Sequence, residues 1–114
     1  MYYNSTGSNN VVMGYSALNT CVGCNDVTAI GAAALQSNQG SENTALGSSA
    51  LYANTTGTEN TGLGRGAALT NTIGVGLTGV GRNSLYWNSS GSYNTAVGAS
   101  SATNNATGSF NTIV

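Results

Sequence analysis

Two columns of glycine recur along the chain at a single spacing, and that period limits the fold more tightly than anything else in the sequence. Glycines that follow an apolar residue stand at Gly14, Gly31, Gly47, Gly64, Gly81 and Gly98, with steps of 17, 16, 17, 17 and 17 residues. A second series runs through Gly7, Gly23, Gly40, Gly57, Gly74, Gly91 and Gly108. The unit they bracket reads Gly-Ser-x-Asn-Thr-Ala-[Leu/Val/Ile]-Gly-x-x-Ala-Leu-x-x-Asn-Thr-Thr. Seventeen residues cannot hold a helical hairpin, which needs roughly 33 per repeat. The density of Gly, Asn, Ser and Thr also works against helix, because these residues either carry excess backbone entropy or compete for backbone hydrogen bonds. The period predicts an all-β chain, a β-solenoid or β-roll of about seven 17-residue coils with two short strands per coil. The first strand is expected around Asn-Thr-Ala-Leu and the second around Ala-Leu-x-x-Asn-Thr. Corner glycines at 14, 31, 47, 64, 81 and 98, and at 57, 74, 91 and 108, are expected to supply positive φ angles.

Stacking at about 4.8 Å per coil turns each sequence column into a physical ladder. Met13, Ile30, Leu46, Leu63, Val80 and Val97 are expected to form one core spine. Leu18, Leu35, Leu51, Leu69 and Leu85 are expected to form a second, beside the small column Ala17, Ala34, Ala50 and Ala68. Asn10, Asn43, Asn60, Asn94 and Asn111 form one amide column, and Asn4, Asn54, Asn71, Asn88 and Asn105 another; stacked amides can bond along a ladder, or serve as turn residues that satisfy nearby backbone groups. The repeat fills residues 1–114 as a single array with no linker. Met1 falls in the leucine column and Val114 just precedes an expected glycine, so the array reads as an excerpt or stacking unit of a longer fibre.

Charge sets what such a rod can do. Only 4% of residues are charged, against about 25% in ordinary domains, and the net charge is −1. Two arginines and no lysine leave no basic surface for a phosphate backbone, which argues against nucleic-acid binding. No apolar run approaches the ~20 residues of a membrane span, so no membrane insertion is expected. With no His or Lys, and with Asp26, Glu42 and Glu59 spread over a repetitive scaffold, no acid–base pair presents itself; no enzyme activity, cofactor or metal is expected. Glu42 and Glu59 share a column, as do Arg65 and Arg82. Both pairs are expected at the surface, with the acids of one protomer able to face the arginines of another.

Three further features bear on function. Cys21-Val22-Gly23-Cys24 is a lone CxxC, open to a local disulfide, free thiols or a metal. Tyr52 and Tyr86 share a column with Tyr2, and Trp87 stands beside it; these rings are candidates for surface contact, including stacking on sugars. Sequons at Asn4, Asn54, Asn88 and Asn105 fall in one column and would project a row of glycans if modified.

The segments Asn43-Thr44-Ala45-Leu46-Gly47-Ser48-Ser49-Ala50, Asn94-Thr95-Ala96-Val97-Gly98-Ala99-Ser100-Ser101 and Thr28-Ala29-Ile30-Gly31-Ala32-Ala33-Ala34 resemble the head repeats of trimeric autotransporter adhesins, which read Ser-Val-Ala-Ile-Gly-x-x-Ser in a shorter coil. Leu51-Tyr52-Ala53-Asn54-Thr55-Thr56-Gly57 is similar to repeats in phage and viral tail fibres. The resemblance implies a β-roll that assembles with itself as a homotrimer in an extracellular, receptor-facing fibre, on a cell or virion surface, where a host glycan or protein would be the partner. An end-to-end filament, with or without attached glycans, is the alternative assembly. A different class of function, ice or surface binding, is suggested by the hydroxyl column Thr44, Thr61, Thr78, Thr95 and Thr112. Against it stands the expectation that the residue two places on, Leu46 or Val97, is core.

Overall fold

A computed structural model describes residues 6–114. It is a β-solenoid, 37 × 20 × 17 Å, whose coils climb one above the next. The strands are β1 (Val11–Met13), β2 (Thr28–Ile30), β3 (Thr44–Leu46), β4 (Thr61–Leu63), β5 (Thr78–Val80), β6 (Thr95–Val97) and β7 (Thr112–Ile113). They pair in sequence order as one parallel sheet, with Thr28↔Thr44↔Thr61↔Thr78↔Thr95↔Thr112 in register. The period read from the glycines is the period of the sheet.

One strand per coil is present, where two were expected. The Ala-Leu-x-x-Asn-Thr wall is built from turns, yet it still bonds coil to coil. Leu18 N donates to Ala34 O, Leu35 N to Ala50 O and Leu85 N to Ser101 O, at 3.0 Å each. The reason it is not a strand lies in its backbone. Leu18, Leu35, Leu51 and Leu85 all take φ between 46° and 51°, and the residue two before each is left-handed as well. That conformation is unfavourable for a side chain other than glycine. Here it swings each leucine into the interior, where all four are fully buried. Burial of each contributes roughly 1.5–3 kcal/mol, enough to offset the local backbone strain.

The strand shows the opposite polarity from that expected. Met13, Ile30, Leu46, Leu63, Val80 and Val97 are not core. Met13 is 67% exposed and Leu46, Leu63 and Val97 are 38–42% exposed, with Ile30 and Val80 half-buried. Alternate strand residues face opposite sides, and the middle residues (Ala29, Ala45, Gly62, Gly79 and Ala96) take the inside. Width decides it. A Cβ on Gly62 would sit 3.1 Å from Leu51 Cγ, so the leucines of the turn wall leave room only for alanine or glycine on the strand.

Leu69 is also corrected. It stands five residues after Gly64, where Leu51 stands four after Gly47, so Ala68 (φ 49°) takes the inner position and Leu69 moves one place outward, half-buried. The small column is accordingly Ala17, Ala34, Ala50 and Ala67.

The two glycine columns exist for different reasons. The one containing Gly47 and Gly64 has φ of 121–135°. The one containing Gly57, Gly74, Gly91 and Gly108 does not have positive φ; in Gly57, Gly74 and Gly91 a Cβ would run into the carbonyl oxygen of the glycine one coil on. At coil two that second column passes through Cys24, not Gly23. Asn10 Nδ2 donates to Cys24 O at 2.8 Å as Asn43 Nδ2 does to Gly57 O.

Candidate functional site

One third of the buried residues other than glycine are polar. Asn38, Asn43, Asn54, Asn60, Asn71, Asn88 and Asn94 are essentially inaccessible. Their amides interlock across columns and coils. Asn54 Nδ2 donates to Asn38 Oδ1 (2.6 Å) and Gly57 O (2.8 Å), and Asn71 Nδ2 to Asn54 Oδ1 (2.7 Å). In the other column Asn43 Oδ1 accepts from Asn60 N (3.0 Å) and Asn60 Oδ1 from Leu77 N (2.9 Å). Among the described residues no buried side-chain nitrogen or oxygen lacks a partner. Buried amides are stable only when satisfied, and here repetition supplies each with the same partners one coil away.

That network takes two of the candidate glycosylation sites, Asn54 and Asn88, out of reach. Asn54 and Asn88 are fully buried with their Nδ2 atoms committed to Gly57 O and Gly91 O, the latter at 2.8 Å. Asn105 Nδ2, half-buried, donates to Gly108 O at 3.1 Å. A glycan on Asn54 or Asn88 would displace the ladder itself. Asn4 and Tyr2 lie outside the described residues.

Cys21 and Cys24 form a disulfide and are fully buried. Their place in the lattice explains them. Cys21 stands in the asparagine column and Cys24 in the glycine column, so the covalent bridge replaces the Asn-to-Gly clasp of the other corners. Asn38 Nδ2 closes the ladder against Cys24 Sγ at 3.4 Å. The double replacement Cys21→Asn with Cys24→Gly restores the consensus corner. It should fold without a bridge, and the native chain under reductant should lose only about 1–2 kcal/mol, as expected for so small a closed loop. Thermal melting of both in the presence and absence of a thiol reductant measures this.

Outside, the sheet presents two columns: the threonines, half-buried in β2–β6 and exposed in β7, and the aliphatics, of which Met13, Leu46, Leu63 and Val97 are exposed and Ile30 and Val80 half-buried. Asp26, Glu42 and Glu59 border one margin of this face, two residues before their strands. Arg65 and Arg82 border the other, two residues after theirs. All five are exposed. Among the described residues no cluster of three His, Cys, Asp or Glu is placed to hold a metal.

Aromatic residues gather beyond the margins. Tyr86 and Trp87 meet edge to face (centroids 4.8 Å, 74°), with Trp87 52% exposed and Tyr52 two coils below Tyr86 in its column. Tyr93 and Phe110 stack at 5.2 Å and 17°, with the Tyr93 ring laid against Gly76. This second pair was not singled out from the sequence. Its signal was register: Tyr93 and Phe110 are 17 apart, and Gly76 one coil below leaves the space.

A notch of about 200 Å³ opens beside Tyr86, lined by Ser48, Ser49, Arg65, Gly66, Leu69 and Asn83. The chain matches no protein-family model, no curated protein and no solved structure.

Proposed function

We propose that this chain is a structural and interaction segment of an extracellular fibre, assembled from copies of itself through the outward face of the β1–β7 sheet and without catalysis. The observation that supports it is the outward aliphatic column from Met13 to Val97, in which Met13, Leu46, Leu63 and Val97 are exposed and Ile30 and Val80 half-buried. Large contiguous apolar surface on a soluble chain marks a site of association. Because the column repeats in register with the sheet, a second rod can lie along it. Three rods with these faces turned inward would enclose a second hydrophobic core, in keeping with the resemblance to adhesin heads. The Cys21–Cys24 disulfide supports an oxidising, extracellular setting.

The test is oligomeric state by light scattering, with Leu63→Lys as the variant. Leu63 is outward, so the coil should keep its β circular-dichroism spectrum and its stability to within about 1 kcal/mol. Assembly should fall to the monomer. A parent that is monomeric at high concentration, or a variant that assembles unchanged, refutes the proposal.

Ice or surface binding is favoured by one observation. Thr44 and Leu46 both face outward, so the strands carry two outward columns, hydroxyl and aliphatic, on one face. Thermal hysteresis of the monomeric Leu63→Lys variant and of the parent separates this reading from self-assembly.

A further inference from the structure

We infer that the notch beside Tyr86 binds one acidic sugar residue of a surface glycan, with Arg65 taking the carboxylate and Tyr86 the sugar face. This rests on the interaction role proposed above and names the receptor chemistry.

The notch is created by a single departure from the repeat. The column Ser16, Ala33, Ser49, Gly66, Asn83, Ser100 is left-handed throughout, with φ of 54–66°. Every other member carries a side chain; Gly66 alone does not. A Cβ there would lie 2.7 Å from Asn83 Oδ1 and 3.5 Å from the Tyr86 ring. Glycine is therefore not required by the backbone at this place, since alanine and serine take the same φ in neighbouring coils. What its absence of side chain provides is space, bounded by an aromatic ring and an amide.

The surrounding groups are matched to a carboxylated pyranose. Arg65, one of two cations in the chain, is exposed at the rim and forms no ion pair among the described residues. A guanidinium binds a carboxylate through two parallel hydrogen bonds. Ser48, Ser49 and Asn83 offer donors and acceptors for ring hydroxyls, and Tyr86 and Leu69 offer apolar surface for the C–H face of the ring. Trp87 holds Tyr86 edge-on. At about 200 Å³ the notch is smaller than the ~300–1,000 Å³ of drug-sized sites, which limits it to one sugar.

The experiment is an amide chemical-shift titration of the full chain with D-glucuronate, D-glucose and acetate, on the parent, Arg65→Ala and Gly66→Ser. Glucuronate should move the Gly66, Asn83 and Tyr86 amides saturably. Glucose with the parent, and glucuronate with Arg65→Ala, should bind at least about tenfold more weakly, the loss expected when one charge-assisted pair is removed. Acetate, which lacks the ring, and Gly66→Ser, which lacks the space, should also weaken binding. Gly66→Ser fills the notch with a residue its column already accepts and displaces the Asn83 side-chain end, so its spectrum away from Asn83 and Tyr86 should match the parent. Equal shifts from acetate and glucuronate, no saturable shift, or binding that survives Gly66→Ser would overturn the site. So would an Arg65→Ala variant that binds normally but loses assembly, which would assign Arg65 to a partner's acids. Light scattering on the same samples reads the assembly proposal separately, so either can fail alone.

Discussion

Gly64→Ala should destabilise the folded rod by several kcal/mol, while Gly66→Ala two residues away should leave it intact. Gly64 has φ 127°, a region effectively closed to side chains, and its Cβ would lie 2.7 Å from Gly81 C and 2.8 Å from Gly81 O. Those atoms are backbone and cannot rotate aside. Relief requires the two coils to part, which loosens Gly81 N to Leu63 O (2.7 Å) and Asn83 N to Arg65 O (2.9 Å). Backbone strain of about 1–3 kcal/mol and the two weakened bonds together come to roughly 2–6 kcal/mol. Small domains have only about 5–15 kcal/mol in all. At Gly66 the backbone already suits alanine, as Ala33 shows at φ 59°, and the nearest atom is the movable end of Asn83. Circular dichroism with thermal melting of the two variants decides it; a Gly64→Ala protein melting within a few degrees of the parent would refute the account.

The second large effect is at Asn71→Ala. Its amide donates to Asn54 Oδ1 (2.7 Å) and Gly74 O (3.1 Å), and accepts from Gly74 N (3.0 Å) and Asn88 Nδ2 (3.3 Å). Truncation leaves up to four buried partners without a bond, each worth about 1 kcal/mol or more, so a loss of at least about 3 kcal/mol is expected. Asn104→Ala, at an exposed position, should cost less than about 0.5 kcal/mol. Urea midpoints for both measure the difference. Equal midpoints would mean the amide network carries no stability.

Much of this was legible in the sequence and some was not, for physical reasons that particular residues show. The period, the parallel stack and the asparagine ladders followed from spacing alone. The inside and outside of the strand did not. Thr44, Ala45 and Leu46 alternate, so one parity must be buried, and bulk pointed to Leu46. The decisive signal was the uniformly small middle column of Ala29, Ala45, Gly62, Gly79 and Ala96, the mark of a strand facing a close wall. Glycine also misled at 23, because the true column there is occupied by Cys24, and the pairing of Cys21 with Cys24 makes sense only once both are placed in the asparagine and glycine ladders. The notch at Gly66 depended on knowing that Ala67, not Ala68, continues the small column, which the displaced Leu69 concealed.

The corner Asn38-Gln39-Gly40 has one residue fewer than Asn54-Thr55-Thr56-Gly57, and its repair is visible. Gln39 Oε1 accepts from Val22 N at 3.3 Å and Gln39 Nε2 donates to Thr20 O at 2.5 Å. A side-chain amide thus occupies the role of a peptide group. A deletion in a chain of this kind is therefore accommodated at an asparagine corner, where glutamine bridges the gap, while the Gly64 corner admits nothing longer than hydrogen. Over generations the first kind of corner is where the lattice can lose a residue and still keep its thread.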